Sequence, residues 1–237
     1  MICIFLPPEE LSAEEVIIAG DQAKHLSVLR VKIGEIITVF DGLGCKYDCK
    51  ILQINKKAFI AEKLNKAPYS AESPISITLA QGIAKGEKMD FIIQKATELG
   101  VNKIIPLITE RSQVRHTAKI ERWRKIALSA AEQSCRGKVP EINEPVSFNG
   151  FLEGRHIGII FYEQVTGKHL KQTLKEFNNS REITLLIGPE GGFSKEEVNA
   201  AIEQGFMEAS LGPRILRTET AAINAISIIQ YELGDAE

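Results

Sequence analysis

Two stretches of the sequence concentrate residues that a fold alone does not require. The first is LLIGPEGGFSKEE, Leu185 to Glu197. Its Gly188, Gly191 and Gly192 let the backbone turn tightly and approach a ligand closely, and Glu190 stands among them. The second is LGPRILRTETAAINAI, Leu211 to Ile226, where Arg214, Arg217 and Glu219 fall between apolar segments. Together they could enclose a pocket of backbone amides, small residues and a few charges. A triphosphate fits poorly. The phosphate-cradling G-x-x-x-x-G-K-[ST] loop and G-x-G-x-x-G are both missing, and Glu190 would repel phosphate. A neutral or cationic ligand suits better. Plainer readings stand beside this one: a tight turn at GPEGG, ion pairs of Arg214 and Arg217 with Glu190 and Glu219, and Thr218 as a helix N-cap. A third stretch, QGIAKGEK at 81–88, matches neither nucleotide pattern and reads as an ordinary strand-to-helix turn.

The chain has 237 residues and a formal net charge of −2. Its cations are unevenly spread. Arg111, Arg115, Lys119, Arg122, Arg124, Lys125, Arg136 and Lys138 share one window with only Glu121 and Glu132. Such a patch can hold a polyanion, because charges beyond about 8–10 Å are screened. It can equally be a solvated helix face. His25, His116, His156 and His169 show no ligand spacing, and no metal is expected. Cys3, Cys45, Cys49 and Cys135 form no C-x-x-C pair and are expected to be thiols in a reducing compartment. No apolar run approaches the ~18 residues of a membrane span, and no secretory signal is visible. A cytoplasmic protein is expected.

The elements that must position these residues change character near residue 70. Before it, MICIFL, EVIIAG, EIITVFDG, KYDCKILQI and AFIAEKL read as short strands of a mostly antiparallel barrel. Asp41-Gly42-Leu43-Gly44 reads as a hairpin turn. DQAKHLSVLRV reads as a short helix with Asp21 as N-cap, and NKAPYSAESP, 65–74, as a linker. After residue 74, strands alternate with helices. ISITLAQG, NKIIPLI, HIGIIFYE, EITLLIG and MEASLG are strands. The helices are EKMDFIIQKATEL before Gly100, a long one from Thr117 to near Gly137, one near 168–177, one opened by an S-x-x-E capping box at Ser194–Glu197, and ETAAINAISIIQYEL. This alternation implies a mostly parallel sheet covered on both faces. Ligands of such sheets bind at the carboxyl ends of the strands.

LLIGPEGGFSKEEV and LGPRILRTETAAINAI closely resemble the C-terminal signature of the RsmE-type 16S ribosomal RNA uridine-N3 methyltransferases, of the SPOUT (trefoil-knot) superfamily. KHLSVLRVKIGE resembles the family's N-terminal stretch. AKGEKMDFIIQKATELGVNKIIPLITERS and AAEQSCRGKVPEI resemble its middle segments, so the resemblance covers nearly the whole chain. One departure is the start, Met1-Ile2-Cys3-Ile4-Phe5, where family members often carry arginines.

The resemblance implies an α/β fold: a SPOUT-type knotted, mostly parallel sheet at 74–237, preceded by a small PUA-like β-barrel at 1–70. It implies S-adenosyl-L-methionine as methyl donor and 16S rRNA within the small ribosomal subunit as substrate. It also implies a homodimer with each pocket near the partner subunit. Carried over by position, the cofactor walls are Gly188, Pro189, Glu190, Gly191, Gly192, Leu211, Gly212, Ile215, Leu216, Arg217, Thr218, Glu219, Thr220 and Ala221. Arg217 is the expected stabiliser of charge on the uracil. Glu190 is the expected base if burial raises its pKa. Arg111, Arg115, Arg122 and Arg136 are expected to contact RNA phosphates. Two other readings compete: a non-catalytic RNA-binding assembly factor, and a metabolic nucleotide-binding enzyme.

Overall fold

The computed structural model describes residues 2–68, 72–115, 117–165 and 170–236. The early strands are β1 (Cys3–Phe5), β2 (Glu15–Ala19), β3 (Ile36–Phe40), β4 (Cys45–Ile54) and β5 (Ala58–Pro68), in the sheet order β1-β3-β4-β5-β2. The β1–β3 pairing is parallel and the others are antiparallel. Alternation works as period 2 demands: on β2, Val16 and Ile18 are buried while Ile17 faces out. Ile4, Val16, Ile18, Leu26, Val39, Ile51 and Phe59 share one core. At the β3–β4 turn the Asp41 carboxylate accepts from the amides of Leu43 (2.8 Å) and Cys45 (3.0 Å), a side-chain clasp that favours Asp in turns. Helix α1 (Gly20–Val28) has Ala19 at its N-cap. Asp21 lies one residue inside the helix and pairs with Lys24, so it does not cap.

Residues Ala131–Val139 complete this small unit, alongside Met1–Glu72. The division near residue 70 did not include that segment. Cys135 is disulfide-bonded to Cys3, which corrects the expectation of four thiols. Spacing rules could not reveal a pair separated by 132 positions. Cys135 has φ +52°, in the left-handed region that favours glycine. A Glu132 carboxylate oxygen accepts from the Phe5 amide at 3.0 Å and from the Gln22 side chain. Arg136 is buried, and its guanidinium donates twice to the Glu72 carboxylate, at 2.7 and 3.3 Å. A charge buried with such a partner is committed to it. Arg136 is therefore a structural residue, and its expected phosphate contact is withdrawn. Cys45 and Cys49 are free. Burial pushes the Cys49 thiol up to about 11, which makes it a poor nucleophile.

The second unit comprises Ser73–Ala130 and Pro140–Glu237. Its strands are β6 (Ser76–Gly82), β7 (Lys103–Ile108), β8 (Glu141–Ile142), β9 (Val146–Ser147), β10 (Gly158–Phe161), β11 (Glu182–Ile187) and β12 (Met207–Ala209). They pair in parallel in the order β12-β10-β11-β6-β7-β8, with β9 also on β7. The helices are α2 (Lys88–Glu98), α3 (Ile120–Gln133), α4 (Phe148–Leu152), α5 (Leu170–Lys175), α6 (Lys195–Glu203) and α7 (Thr218–Leu233). Ala80, Ile160 and Leu186 pack with residues of α4 and α6. The alternate set, Leu79, Ile159 and Leu185, is equally buried, and α7 packs on β6 and β11. Both faces are thus covered.

Local signals hold where they are strong. The Ser194–Glu197 capping box has both of its hydrogen bonds. Helix α3 starts at Ile120 instead of Thr117, which stands just ahead of it and accepts from the Lys119 amide at 3.1 Å without capping it. That helix ends at Gln133, short of Gly137, because the backbone turns left-handed at Cys135. The two-residue strands β8 and β9 and the five-residue α4 are too short for periodicity to show. Residues 69–71 of the expected linker, 168 and 169 of the expected helix, and His116 and His169 lie outside the described residues. Among the described residues no helix is long and apolar enough to cross a membrane.

The Cys3–Cys135 bond closes a loop long enough to stabilise the folded chain by roughly 4–5 kcal/mol. Excess dithiothreitol should therefore lower the melting temperature of the wild-type protein by more than about 5 °C. Cys3→Ser should melt at the lower temperature with or without reductant. Identical melting of the wild type in oxidising and reducing buffer would show that the link contributes nothing.

Candidate functional site

A cavity of about 660 Å³ opens at the carboxyl ends of β10, β11 and β12. Its walls are the two stretches singled out by their chemistry. Gly188, Pro189, Glu190, Gly191, Gly192, Leu211, Gly212, Ile215, Leu216, Arg217, Thr218 and Ala221 line it. Glu219 and Thr220, in the first turn of α7, do not. Phe161, Tyr162 and Glu163 from the end of β10, with Lys88, Ile187, Ser210 and Arg214, complete the lining. The β10 end carried no glycine or charge cluster to mark it, which is why residue types alone passed over it.

The loop after β11 folds tightly on itself. The Gly192 amide donates to the Pro189 carbonyl at 2.9 Å. A Cβ on Gly188 would lie 2.9 Å from the Gly192 carbonyl carbon, so only glycine allows the fold. The stretch 81–88 is also more than a plain turn. A Cβ on Gly82 would come within 2.5 Å of the Pro189 nitrogen, so β6 and this loop touch backbone to backbone. The Glu190 carboxylate accepts from the Lys85 amide (3.1 Å) and from Lys88 Nζ (3.0 Å).

Thr218 is not an N-cap. Arg217 occupies that position, without a side-chain cap bond. The buried Thr218 hydroxyl instead donates to the Gly188 carbonyl at 2.6 Å and accepts from Gln81 Nε2 at 2.9 Å. These bonds tie the start of α7 to the loop after β11 and to the end of β6. Gln81 was missed because one polar residue at the end of an apolar strand breaks no pattern.

Among the described residues neither Arg214 nor Arg217 pairs with Glu190 or Glu219, and both guanidinium groups belong to exposed residues. The ion-pair reading of the second stretch is thereby set aside. The other expected RNA contacts are exposed, but each has a neighbour. Arg111 Nη1 donates to the Gly191 carbonyl at 3.1 Å, and a Cβ on Gly191 would lie 3.0 Å from the Arg111 Cβ. Arg111 therefore braces the loop from outside. Arg115 donates to the Glu110 carbonyl at 3.3 Å. Arg122 pairs with Asp90 at 2.7 Å, and Asp90 also accepts from Trp123 Nε1. Among the described residues no cluster of His, Cys, Asp or Glu could hold a metal ion.

Burial pushes the Glu190 carboxyl up, but its own backbone amide, Lys88 and the Lys85 amide outweigh this and hold it below the ordinary carboxylate value. The raised pKa expected of a base is not found. A depressed folded-state pKa contributes stability above the unfolded value, near 4.5, and that stability is lost as pH falls through the folded value. Glu190→Gln should therefore melt below wild type near neutral pH, by a small margin for so exposed a group. The margin should close on acidification below about pH 4.5. A gap that persists unchanged into acid would assign the loss to packing instead of charge.

The geometry has counterparts. The family described as RNA methyltransferase domain matches residues 71–230, and that described as RNA methyltransferase PUA domain matches residues 18–64. The ribosomal RNA small subunit methyltransferase E of Buchnera aphidicola subsp. Acyrthosiphon pisum is 36% identical, over 96% of this chain and 92% of its own. That of Bacillus subtilis is 33% identical, over 91% and 89%. The crystal structure of a ribosomal RNA small subunit methyltransferase E from Neisseria gonorrhoeae, bound to S-adenosyl methionine, superposes with a TM-score of 0.92 at 37% identity and covers all of both chains. A cavity at strand ends, walled by the same two stretches that carried the resemblance, thus accompanies similarity along nearly the whole length, and the chain belongs to the ribosomal RNA small subunit methyltransferase E family.

Proposed function

We propose that this protein transfers a methyl group from S-adenosylmethionine to N3 of a uridine in 16S ribosomal RNA, within the small ribosomal subunit. We further infer that it works as a homodimer in the cytoplasm. The observation that carries the reading is one cavity that joins an apolar wall to charges of both signs. Phe161, Ile187, Leu211 and Leu216 suit the faces of an adenine, while Glu163 and the arginines suit a charged amino-acid moiety. Ile215 lies on the same wall and is 87% exposed, an apolar surface that an occupant or a second subunit would cover. The bound cofactor would supply an electrophilic methyl on a sulfonium centre.

The protein's own task is to make uracil N3 nucleophilic. That nitrogen carries a proton, and its loss leaves an anion spread over the two flanking carbonyl oxygens. Arg217 lines the cavity, belongs to an exposed position and has no ion-pair partner among the described residues. Its planar donors can face such an anion without releasing a proton. Glu190 is engaged by Lys88 and held ionised. It serves better as a brace between the 81–88 stretch and the loop after β11 than as the acceptor of a weakly acidic proton. Arg115 and Arg122 stand exposed on the same unit and would position phosphates, which fix orientation without reading sequence, whereas Arg111 is engaged by the loop.

Labelled cofactor incubated with 16S RNA and with small-subunit particles, followed by mapping of the methylated base, tests the reading directly. Cofactor binding without transfer to either substrate would favour a non-catalytic assembly factor. Arg217→Lys should bind cofactor and RNA yet turn over about 10²-fold more slowly at saturation, the scale of losing one oxyanion donor. A near-normal single-turnover rate would remove Arg217 from the chemistry. The Arg115→Ala, Arg122→Ala double variant should bind RNA more weakly and with a shallower salt dependence, since fewer counterions are released. An unchanged slope would leave these arginines as a solvated face.

A further inference from the structure

A fully buried glutamine at the end of an apolar strand is costly unless its amide is used. Gln81 Nε2 lies 2.9 Å from the Gly82 carbonyl, 2.9 Å from Thr218 Oγ1 and 3.3 Å from the Gly188 carbonyl. Its two N–H groups thus serve three acceptors on three segments: the end of β6, the loop after β11 and the start of α7. Thr218 spends its own proton on Gly188, so its oxygen is left to accept from Gln81. The Gln81 Oε1 is buried without a partner among the described residues. An apolar residue would avoid that orphaned acceptor, so the side chain is retained for its donors. The reverse amide orientation would set Oε1 against the Gly82 and Gly188 carbonyls, neither of which can donate, and this fixes the orientation.

Gly188 and Thr218 also line the cavity, one from each wall. We propose that Gln81 is a positioning residue for the methyl donor. It holds the Gly188–Gly192 loop and the N-terminus of α7 at the spacing the donor requires, without lining the cavity itself. The role rests on the reading that this cavity takes S-adenosylmethionine. It differs from simple fold stability because two of the three acceptors, the Gly188 carbonyl and Thr218 Oγ1, belong to residues of the cavity's walls, and because Thr218 couples the two walls through a hydroxyl that has no other partner to accept from among the described residues.

The test uses the full-length chain and S-adenosylmethionine as probe. Gln81→Met keeps the length and removes both donors. Calorimetry should show its cofactor affinity lowered by about 10-fold or more, as expected when buried carbonyls lose their donors. Thr218→Val should show a loss of similar size, and the double variant should be no weaker than Thr218→Val alone, because the two side chains act as one unit. In transfer assays the KM for the donor should rise while kcat at saturation stays within a few-fold, the mark of lost positioning rather than lost chemistry. Unliganded melting of each variant separates the two roles. A folded Gln81→Met protein with wild-type affinity overturns the proposal, as does a lowered melting temperature with affinity intact. If Gln81→Met does not fold, additive losses between Thr218→Val and Gln81→Asn overturn it, and non-additive losses support it. Wild-type protein that fails to bind the donor would sink the cavity assignment itself, an outcome distinct from either.

Discussion

After β12 the chain stands at one edge of a parallel sheet, while the apolar face that its last helix must cover lies over β6 and β11, in the middle. The return has to pass the carboxyl ends of the intervening strands. That constraint builds the site. Residues 210–217 become one wall because they are the return path, and the loop after β11 becomes the other because it lies beside that path. The 2.6 Å bond from Thr218 to the Gly188 carbonyl is where the two meet. A helix start tied to a loop in this way also fixes where Arg217, one residue earlier, can place its guanidinium.

Charge is distributed in the site by commitment. Glu190 is held by Lys88 and a backbone amide, and Arg111 by the Gly191 carbonyl. Both act on the loop's shape. Arg214 and Arg217 carry full charges at exposed positions of the cavity wall. A bracing charge and a working charge look alike in a sequence; they differ only in whether the fold supplies a partner.

That distinction explains what was legible in the residues. The alternation of strands and helices, the Asp41 turn and the Ser194–Glu197 capping box are local, and their signals survive folding. The glycine loop and the arginine stretch were visible because they break an apolar pattern. Arg136 was read as a phosphate ligand because a count of cations cannot see Glu72, far away in sequence. Gln81 and Lys88 were passed over because their partners lie in stretches more than a hundred residues later. The Cys3–Cys135 link was missed for the same reason. Residue type and spacing identify the ligand-facing loops; the contacts that hold those loops in place are long-range, and only the folded chain displays them.

The small unit is discontinuous. Its sheet uses residues up to Pro68, but Glu132 hydrogen-bonds β1, Cys135 bonds to Cys3, and Arg136 neutralises Glu72. None of these partners exists when the five strands have first been made. During vectorial synthesis the nascent sheet therefore waits with β1 unclasped and Glu72 unpaired while 58 residues of the other unit, Ser73 to Ala130, are added. β1 is made before the other strands of its unit and is among the last of them to be secured. A ribosome that stalls between Ser73 and Ala130 would hold a chain whose five strands have all been made but whose first strand lacks its clasp.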